Sequence, residues 1–241
     1  MSAEGPTIFV VDDDPSVLRS LERMFHTEGY AVRSFAQPRL MLACEPWPGP
    51  GCVVMDLRMP ELNGLELQER LRQAGWRHPV VFISGAGDVP GAVRAMKAGA
   101  VDFLPKPVSA EVLLAAVLQA LARDQASRAA NAEREQLRLR FSTLSPREWD
   151  VCRGVARGLL NKQIAAELGT AEQTVRFQRG RVMAKLAVSS VAELVRLLDR
   201  LESRRFVAGD LQLLEEVLAA GGGPIAAEAE RHSRAEQVRH T

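Results

Sequence analysis

Through the first half of the chain, short apolar runs rich in β-branched residues alternate with stretches whose apolar positions recur at helical spacing. Residues 8–12, 31–35, 52–57, 79–84 and 101–105 read as strands. The intervening SVLRSLERMFHTEG, PRLMLACE, GLELQERLRQAG and GAVRAMKAG read as amphipathic helices, with helix-stop glycines at Gly29, Gly75 and Gly99. This alternation leaves few folds open. Right-handed crossovers join the strands into one parallel sheet with helices on both faces. The expectation is an α/β, doubly wound, five-stranded parallel sheet. All strand carboxyl ends then lie along one edge, where such sheets take their ligands.

The residues at those ends carry chemistry. Asp12, Asp13 and Asp14 follow the first strand and Asp56 ends the third, in VVMDLRMP. Both strands should be central, so the carboxylates converge. Adjacent carboxylates repel unless a cation compensates them, and an oxygen-only set of this charge suits a hard divalent cation, magnesium being the natural choice. Ser84 adds a hydroxyl at the end of the fourth strand, and Lys106 an ammonium after the fifth. Metal and lysine would neutralise the oxygens of a transferring phosphoryl group, with Asp56 as nucleophile. A single Asp after a strand is more often a turn or cap residue, and Asp14 with Pro15 fits a helix start. Five such groups at successive strand ends are a stronger signal than any one of them.

With these residues in view, VVDDDP, VVMDLRMPELNGLEL and VVFISGAGDVPGAVRAMKAGAVDFLPKP make residues 5–122 resemble the receiver domain of two-component response regulators, of the FixJ-type subgroup. The resemblance implies a flavodoxin-like fold and an Asp56 phosphorylated by a sensor histidine kinase. It implies Mg2+ bound by Asp13, Asp12, Asp56 and the backbone carbonyl of Arg58, with Ser84 and Lys106 touching the phosphoryl oxygens. Phe103 falls where the family has an aromatic switch working with Ser84, and the Lys106–Pro107 peptide where it often has a cis bond. Aspartyl-phosphate phosphatases share the nucleophile but carry a second Asp two residues later, where this chain has Arg58, so an enzyme is not expected.

The length of 241 residues suits two domains, and 46% hydrophobic with 25% charged residues is ordinary globular composition. The net charge of +1 hides an asymmetry: residues 1–124 hold 12 basic and 15 acidic side chains, the rest 19 and 15. An acidic front and a basic back suggest two jobs, the second on nucleic acid. Cys44, Cys52 and Cys152 show neither paired nor metal-binding spacing, which suits a reducing compartment. The N-terminus lacks a signal-peptide pattern, and no apolar run approaches the roughly 18 residues of a membrane span. A soluble, cytoplasmic protein with no membrane partner is expected.

After Pro107 neither Gly nor Pro recurs until Pro146. Ser109 can cap a long helix whose large apolar residues stop at Leu121 and return at Leu137, so residues 123–141 read as a solvated helical linker. Short capped helices follow. Ser145-Pro146-Arg147-Glu148 is a capping box, Asn161 can cap KQIAAEL, Thr170-Ala171-Glu172-Gln173 reads as a second box, and Ser190-Val191-Ala192-Glu193 opens a fourth helix. The pair joined through Gly169 reads as a helix-turn-helix. In the helix that follows, Val175, Val182 and Leu186 share one face, with Gln173, Phe177, Gly180, Arg181 and Ala184 turned away. Residues 172–185 hold Arg176, Arg179, Arg181 and Lys185 against a single acid, Glu172. A basic helix with an exposed aromatic, presented by a tight turn, suits the DNA major groove.

LSPREWDVCRGVARGLLNKQIAAELGTAEQTVRFQRGRVMAKL makes residues 142–201 resemble the LuxR-type helix-turn-helix domain. The resemblance implies an all-α domain that binds inverted half-sites of double-stranded DNA as a homodimer. Its base-reading positions fall on Arg176, Phe177 and Gly180, with Lys162 and Thr174 at common phosphate contacts and Arg181 on the same face. Phe177 stands where Val is usual, and Gly180 offers no side chain. Residues 202–241 lie outside both resemblances. Asp210 could cap LQLLEEVLAA, and a polar tail follows. The whole reads as a phosphorylation-dependent transcription regulator that dimerises when phosphorylated. The alternative is a phosphate-insensitive receiver that serves as a scaffold for protein partners.

Overall fold

The computed structural model describes residues 5–85 and 88–202; the helix expected after Asp210, and the segment beyond it, lie outside the described residues. The elements run β1 (Thr7–Val11), α1 (Pro15–Thr27), β2 (Ala31–Phe35), α2 (Pro38–Leu42), β3 (Gly51–Asp56), α3 (Gly64–Gln73), β4 (Val80–Gly85), α4 (Val89–Lys97) and β5 (Asp102–Lys106). They continue with α5 (Ala110–Ser142), α6 (Pro146–Ala156), α7 (Asn161–Leu168), α8 (Glu172–Lys185) and α9 (Val191–Glu202). The chain divides into two compact units between residues 130 and 131.

In the first unit the five strands pair in parallel in the order β2-β1-β3-β4-β5. Strands covered on both faces need apolar residues at every position, and β1 and β3 are buried throughout. Alternate side chains of β1 divide between two cores. Phe9 and Val11 pack with Met41, Leu67, Leu71 and Ala95 from α2, α3 and α4. Ile8 and Val10 pack with Leu18, Leu21 and Phe25 of α1 and with Leu113, Ala116, Val117 and Ala120 of α5. Fully burying each such large side chain contributes about 1.5–3 kcal/mol, so the two cores fix the sheet that positions the edge residues. Since Val11 lies opposite Met55, Asp12 leaves β1 level with Asp56 at the end of β3. The expected helix stops are present, with positive φ at Gly29, Gly75 and Gly99.

α5 is one helix of 33 residues, and Ser109 Oγ accepts from the Val112 amide at its start. The solvation expected just after Leu121 does not hold for its next turns. Asp124 is only 3% exposed and accepts from the Gly51 amide at 3.1 Å and from Arg128 Nε at 2.6 Å. The Arg128 guanidinium donates to the carbonyls of Pro48 and Gly49. His78 Nε2 lies 3.0 Å from Arg128 Nη2, and burial lowers the pKa of this imidazole. Backbone groups at the amino end of β3 thus find their partners on α5.

In the second unit, Val151, Cys152 and Val155 of α6, Ile164 and Leu168 of α7, Val175 and Val182 of α8, Leu186, and Leu194 and Leu198 of α9 form one core. The capping box expected at Ser145 is present in full. Two expected caps are displaced. α7 begins at Asn161 with Leu160 as its N-cap, where Gln163 Oε1 accepts from the Leu160 amide at 2.8 Å. Asn161 Oδ1 accepts from Arg179 instead. α8 has Ala171 as N-cap and no side-chain cap, so Thr170 forms no box with Gln173. α9 opens at Ser190 as expected, where Ser190 Oγ accepts from the Glu193 amide at 3.2 Å, and Glu193 Oε2 in turn accepts from the amide and hydroxyl of Ser189. Gly169 adopts the left-handed conformation (φ 61°), which closes α7 and turns the chain into α8.

Candidate functional site

Two sites emerge, one in each unit. At the carboxyl edge of the sheet, oxygens of Asp12, Asp13 and Asp56 lie within 4.8 Å of one another. Asp12 and Asp56 are buried and Asp13 is exposed. Lys106 Nζ reaches both buried carboxylates, donating to Asp12 Oδ2 at 2.6 Å and to Asp56 Oδ2 at 2.7 Å. The second Asp56 oxygen accepts from the Arg58 amide at 2.9 Å. Burial raises the Asp12 pKa, and the hydrogen bond from Lys106 only partly offsets this. Burial works to lower the Lys106 pKa, but its bonds to the two carboxylates outweigh that and raise it. Three carboxylates with one ammonium leave a surplus of negative charge, and the all-oxygen donor set fits a hard divalent cation.

Ser84 is fully buried on the same edge, and its Oγ has no hydrogen-bond partner among the described residues. Buried hydroxyls are seldom left so, which fits a group awaiting an external oxygen. Phe103 is half-buried against the α2–α4 core, and the Lys106–Pro107 peptide is cis. Asp14 accepts from the Ser16 amide as the α1 cap, with Pro15 beginning the helix. The Arg58 side chain turns to Asp88, 3.2 Å away, and Asp88 also caps α4 through the Gly91 amide. Sequence reasoning missed Asp88, although an Asp before Val89-Pro90 carries the ordinary signal of a helix start. Behind the site, a Cβ on Gly64 would stand 2.5 Å from the Asp56 carbonyl oxygen, so only glycine allows α3 this approach.

In the second unit, α8 buries Val175 and Val182 and turns Gln173, Thr174, Arg176, Phe177, Gly180, Arg181 and Ala184 to one open face. Phe177 is 67% exposed, unusual for a ring of this size with no partner to cover it. Lys162, in the first turn of α7, and Thr174, in the first turn of α8, are both exposed. Arg181 is exposed but engaged: its guanidinium stands 6.0 Å from the centre of the Phe177 ring, and its Nε lies 3.2 Å from Glu148 Oε1. Glu148 also accepts from Lys185 Nζ at 2.5 Å and from the Ser145 amide at 2.8 Å. One buried carboxylate thus joins the start of α6 to the end of α8. The capping box was legible in sequence, whereas these two cations, more than 30 positions on, were not.

Among the described residues no helix is long and apolar enough to cross a membrane. Residues 8–118 match the family described as response regulator receiver domain, and residues 142–198 match the luxR family of bacterial regulatory proteins. Nodulation protein W of Bradyrhizobium diazoefficiens is 46% identical over 194 residues, covering 80% of this chain and 86% of that protein. Response regulator protein TodT of Pseudomonas putida is 41% identical over 202 residues, covering 84% and 89%. Among solved structures, the response regulator StyR superposes with a TM-score of 0.71 at 45% identity, over 81% of this chain and 98% of that one. Full-length FixJ from B. japonicum gives a TM-score of 0.51 at 38% identity, over 83% and 98%. The proteins of this group are DNA-binding transcription regulators and not enzymes. The chain belongs to the family of two-component response regulators that carry a receiver domain and a LuxR-type DNA-binding domain.

Proposed function

We propose that this regulator is switched by phosphorylation of Asp56 and that the switch governs its binding to double-stranded DNA. The observation that carries the reading is the arrangement at the sheet edge. Lys106 Nζ sits within 2.7 Å of Asp56, beside two further carboxylates and a buried Ser84 hydroxyl without a partner among the described residues. An Asp56 oxygen forms the new bond to phosphorus as the phosphorus–nitrogen bond of a kinase phosphohistidine breaks, and the bond's electron pair returns to the imidazole. Lys106 and the Ser84 hydroxyl then meet the phosphoryl oxygens, which add roughly 1.5–2 negative charges. Asp12, Asp13, Asp56 and the Arg58 carbonyl would hold magnesium, which would supply further positive charge to offset the negative charge of the phosphoryl group.

The inward turn of Ser84 leaves room for Phe103, and that exchange alters the face formed by α4, β5 and α5. α4 exposes Val89, Val93 and Met96 there, at the i, i+4, i+7 positions of one stripe. We assign this stripe to a homodimer that forms on phosphorylation. Pairing two chains makes the second half-site contact effectively intramolecular, so affinity rises with no new base contact, by a coupling of about 1–3 kcal/mol. Arg176, Phe177 and Gly180 face the bases, and Lys162 and Thr174 the phosphates. The protein works in the cytoplasm, where its DNA is.

The test is phosphorylation of the full chain by acetyl phosphate with magnesium, read by intact mass and by sedimentation. One added phosphate and a shift to dimers are expected, both lost in Asp56→Asn. Labelling of that variant at the wild-type rate defeats the assignment of Asp56, and a protein equally dimeric with and without phosphate defeats the dimer switch.

A further inference from the structure

The exposed stripe of α8 has a gap. Gly180 stands between Phe177, three residues before it, and Ala184, four residues after it, and a Cβ built at Gly180 would meet no atom within 4 Å. A side chain would fit there without strain in the folded protein, and its absence leaves a notch between the Phe177 ring and the Ala184 methyl on the open face that Gln173, Arg176 and Arg181 also line. Glycine lowers helix stability at such a position by about 1 kcal/mol relative to alanine, so folding gives no reason for it. Of the two cations on this face, Arg181 is drawn toward Glu148 and lies against the Phe177 ring. The side chains at 177, 180 and 184 themselves offer no hydrogen-bond donor or acceptor.

Resting on the reading of α8 as the helix that enters the major groove, we propose that Phe177, Gly180 and Ala184 form a subsite for the C5-methyl group of one thymine in each half-site. In the major groove the thymine methyl is the one apolar feature that a base edge presents. A side chain at position 180 would keep that methyl from the ring; glycine lets it reach the Phe177 face. Glu148 takes part as a positioning residue, because it keeps the Arg181 guanidinium off the base edge. The basic residues Arg176 and Arg179 supply charge that brings DNA to this helix.

The experiment selects preferred duplexes from random DNA with the full-length protein phosphorylated by acetyl phosphate and magnesium, and then replaces each thymine of the half-site, singly, by deoxyuridine, which lacks only the methyl. At one position the replacement should weaken binding about four- to tenfold. Phe177→Ala, at an exposed position, should bind the thymine and deoxyuridine duplexes equally, and Gly180→Leu should lose the same preference for thymine over deoxyuridine. A half-site without a required thymine, a uniform response to every replacement, or a preference that survives Phe177→Ala overturns the subsite. Failure to enrich any sequence overturns the DNA-binding reading beneath it, and that result is distinct from the other three.

Discussion

Replacing Glu148 by glutamine tests whether one buried carboxylate holds the recognition helix in place. Its side chain is 3% exposed, whereas those of Lys185 and Arg181 are 29% and 56% exposed. Removing one partner of a buried ion pair costs about 3–5 kcal/mol when the other charge stays trapped. Here both cations can turn to water, so that range is an upper bound. Glutamine keeps an oxygen for the Ser145 amide and converts charge-assisted hydrogen bonds to neutral ones, a loss of about 1–1.5 kcal/mol. In a unit of this size that lowers the midpoint of thermal unfolding by about 5–10 °C. The fragment of residues 131–241 can be followed through Trp149, its one tryptophan. Acid supplies a second reading. Burial raises the Glu148 pKa, but hydrogen bonds from Lys185 and Ser145 outweigh it and hold the group down to about 2, against an ordinary 4.5. Its contribution is therefore complete above about pH 4.5 and fades as the pH falls toward 2. The gap between wild type and Glu148→Gln should be widest at neutral pH and close on acidification. Equal midpoints at pH 7, or a gap that does not narrow in acid, would refute the reasoning.

Three further changes have expected outcomes. Gly64→Ala drives a methyl group against the Asp56 carbonyl at 2.5 Å and the Phe82 ring at 2.8 Å. It should cost about 1–3 kcal/mol in urea denaturation and slow acetyl-phosphate labelling, and unchanged values in both would contradict the tight approach. Lys162→Ala should weaken binding to all DNA sequences alike and reduce the salt slope by about one, whereas Arg176→Ala should relax preference at a single half-site position. A Lys162→Ala effect confined to one base pair would reverse those assignments.

The receiver site was legible because its information is local. Each of Asp12, Asp56, Ser84 and Lys106 adjoins a short apolar run, and the topology of a parallel sheet converts four strand ends into one edge without any knowledge of side-chain packing. The face of α8 was legible for a similar reason, since the spacing of Val175 and Val182 fixes which residues point away. What escaped was set by distance in sequence or by backbone direction. Asp124 looks like any acid on a polar helix, and its amide partner Gly51 lies 73 residues earlier. Lys185 meets Glu148 across 37 residues. The caps of α7 and α8 slipped by one position because an N-cap depends on where the backbone enters the helix. Leu160 holds that place at α7 although its side chain cannot cap.

The bonds from Asp124 and Arg128 also decide where the chain can be cut and rejoined. A receiver ended at residue 122 would leave the buried Gly51 amide without its partner and would remove the Arg128 bonds to the more exposed Pro48 and Gly49 carbonyls. A buried backbone group stripped of its partner costs about 1–3 kcal/mol, so such a fragment would be weakened at the end of the sheet opposite Asp56. Exchange of output domains between regulators meets the same constraint. A foreign helix grafted after Leu121 must carry an acid and an arginine four residues apart, in the register of Asp124 and Arg128. The receiver therefore dictates part of the sequence of whatever is attached to it, and a graft placed beyond Arg128 escapes that demand.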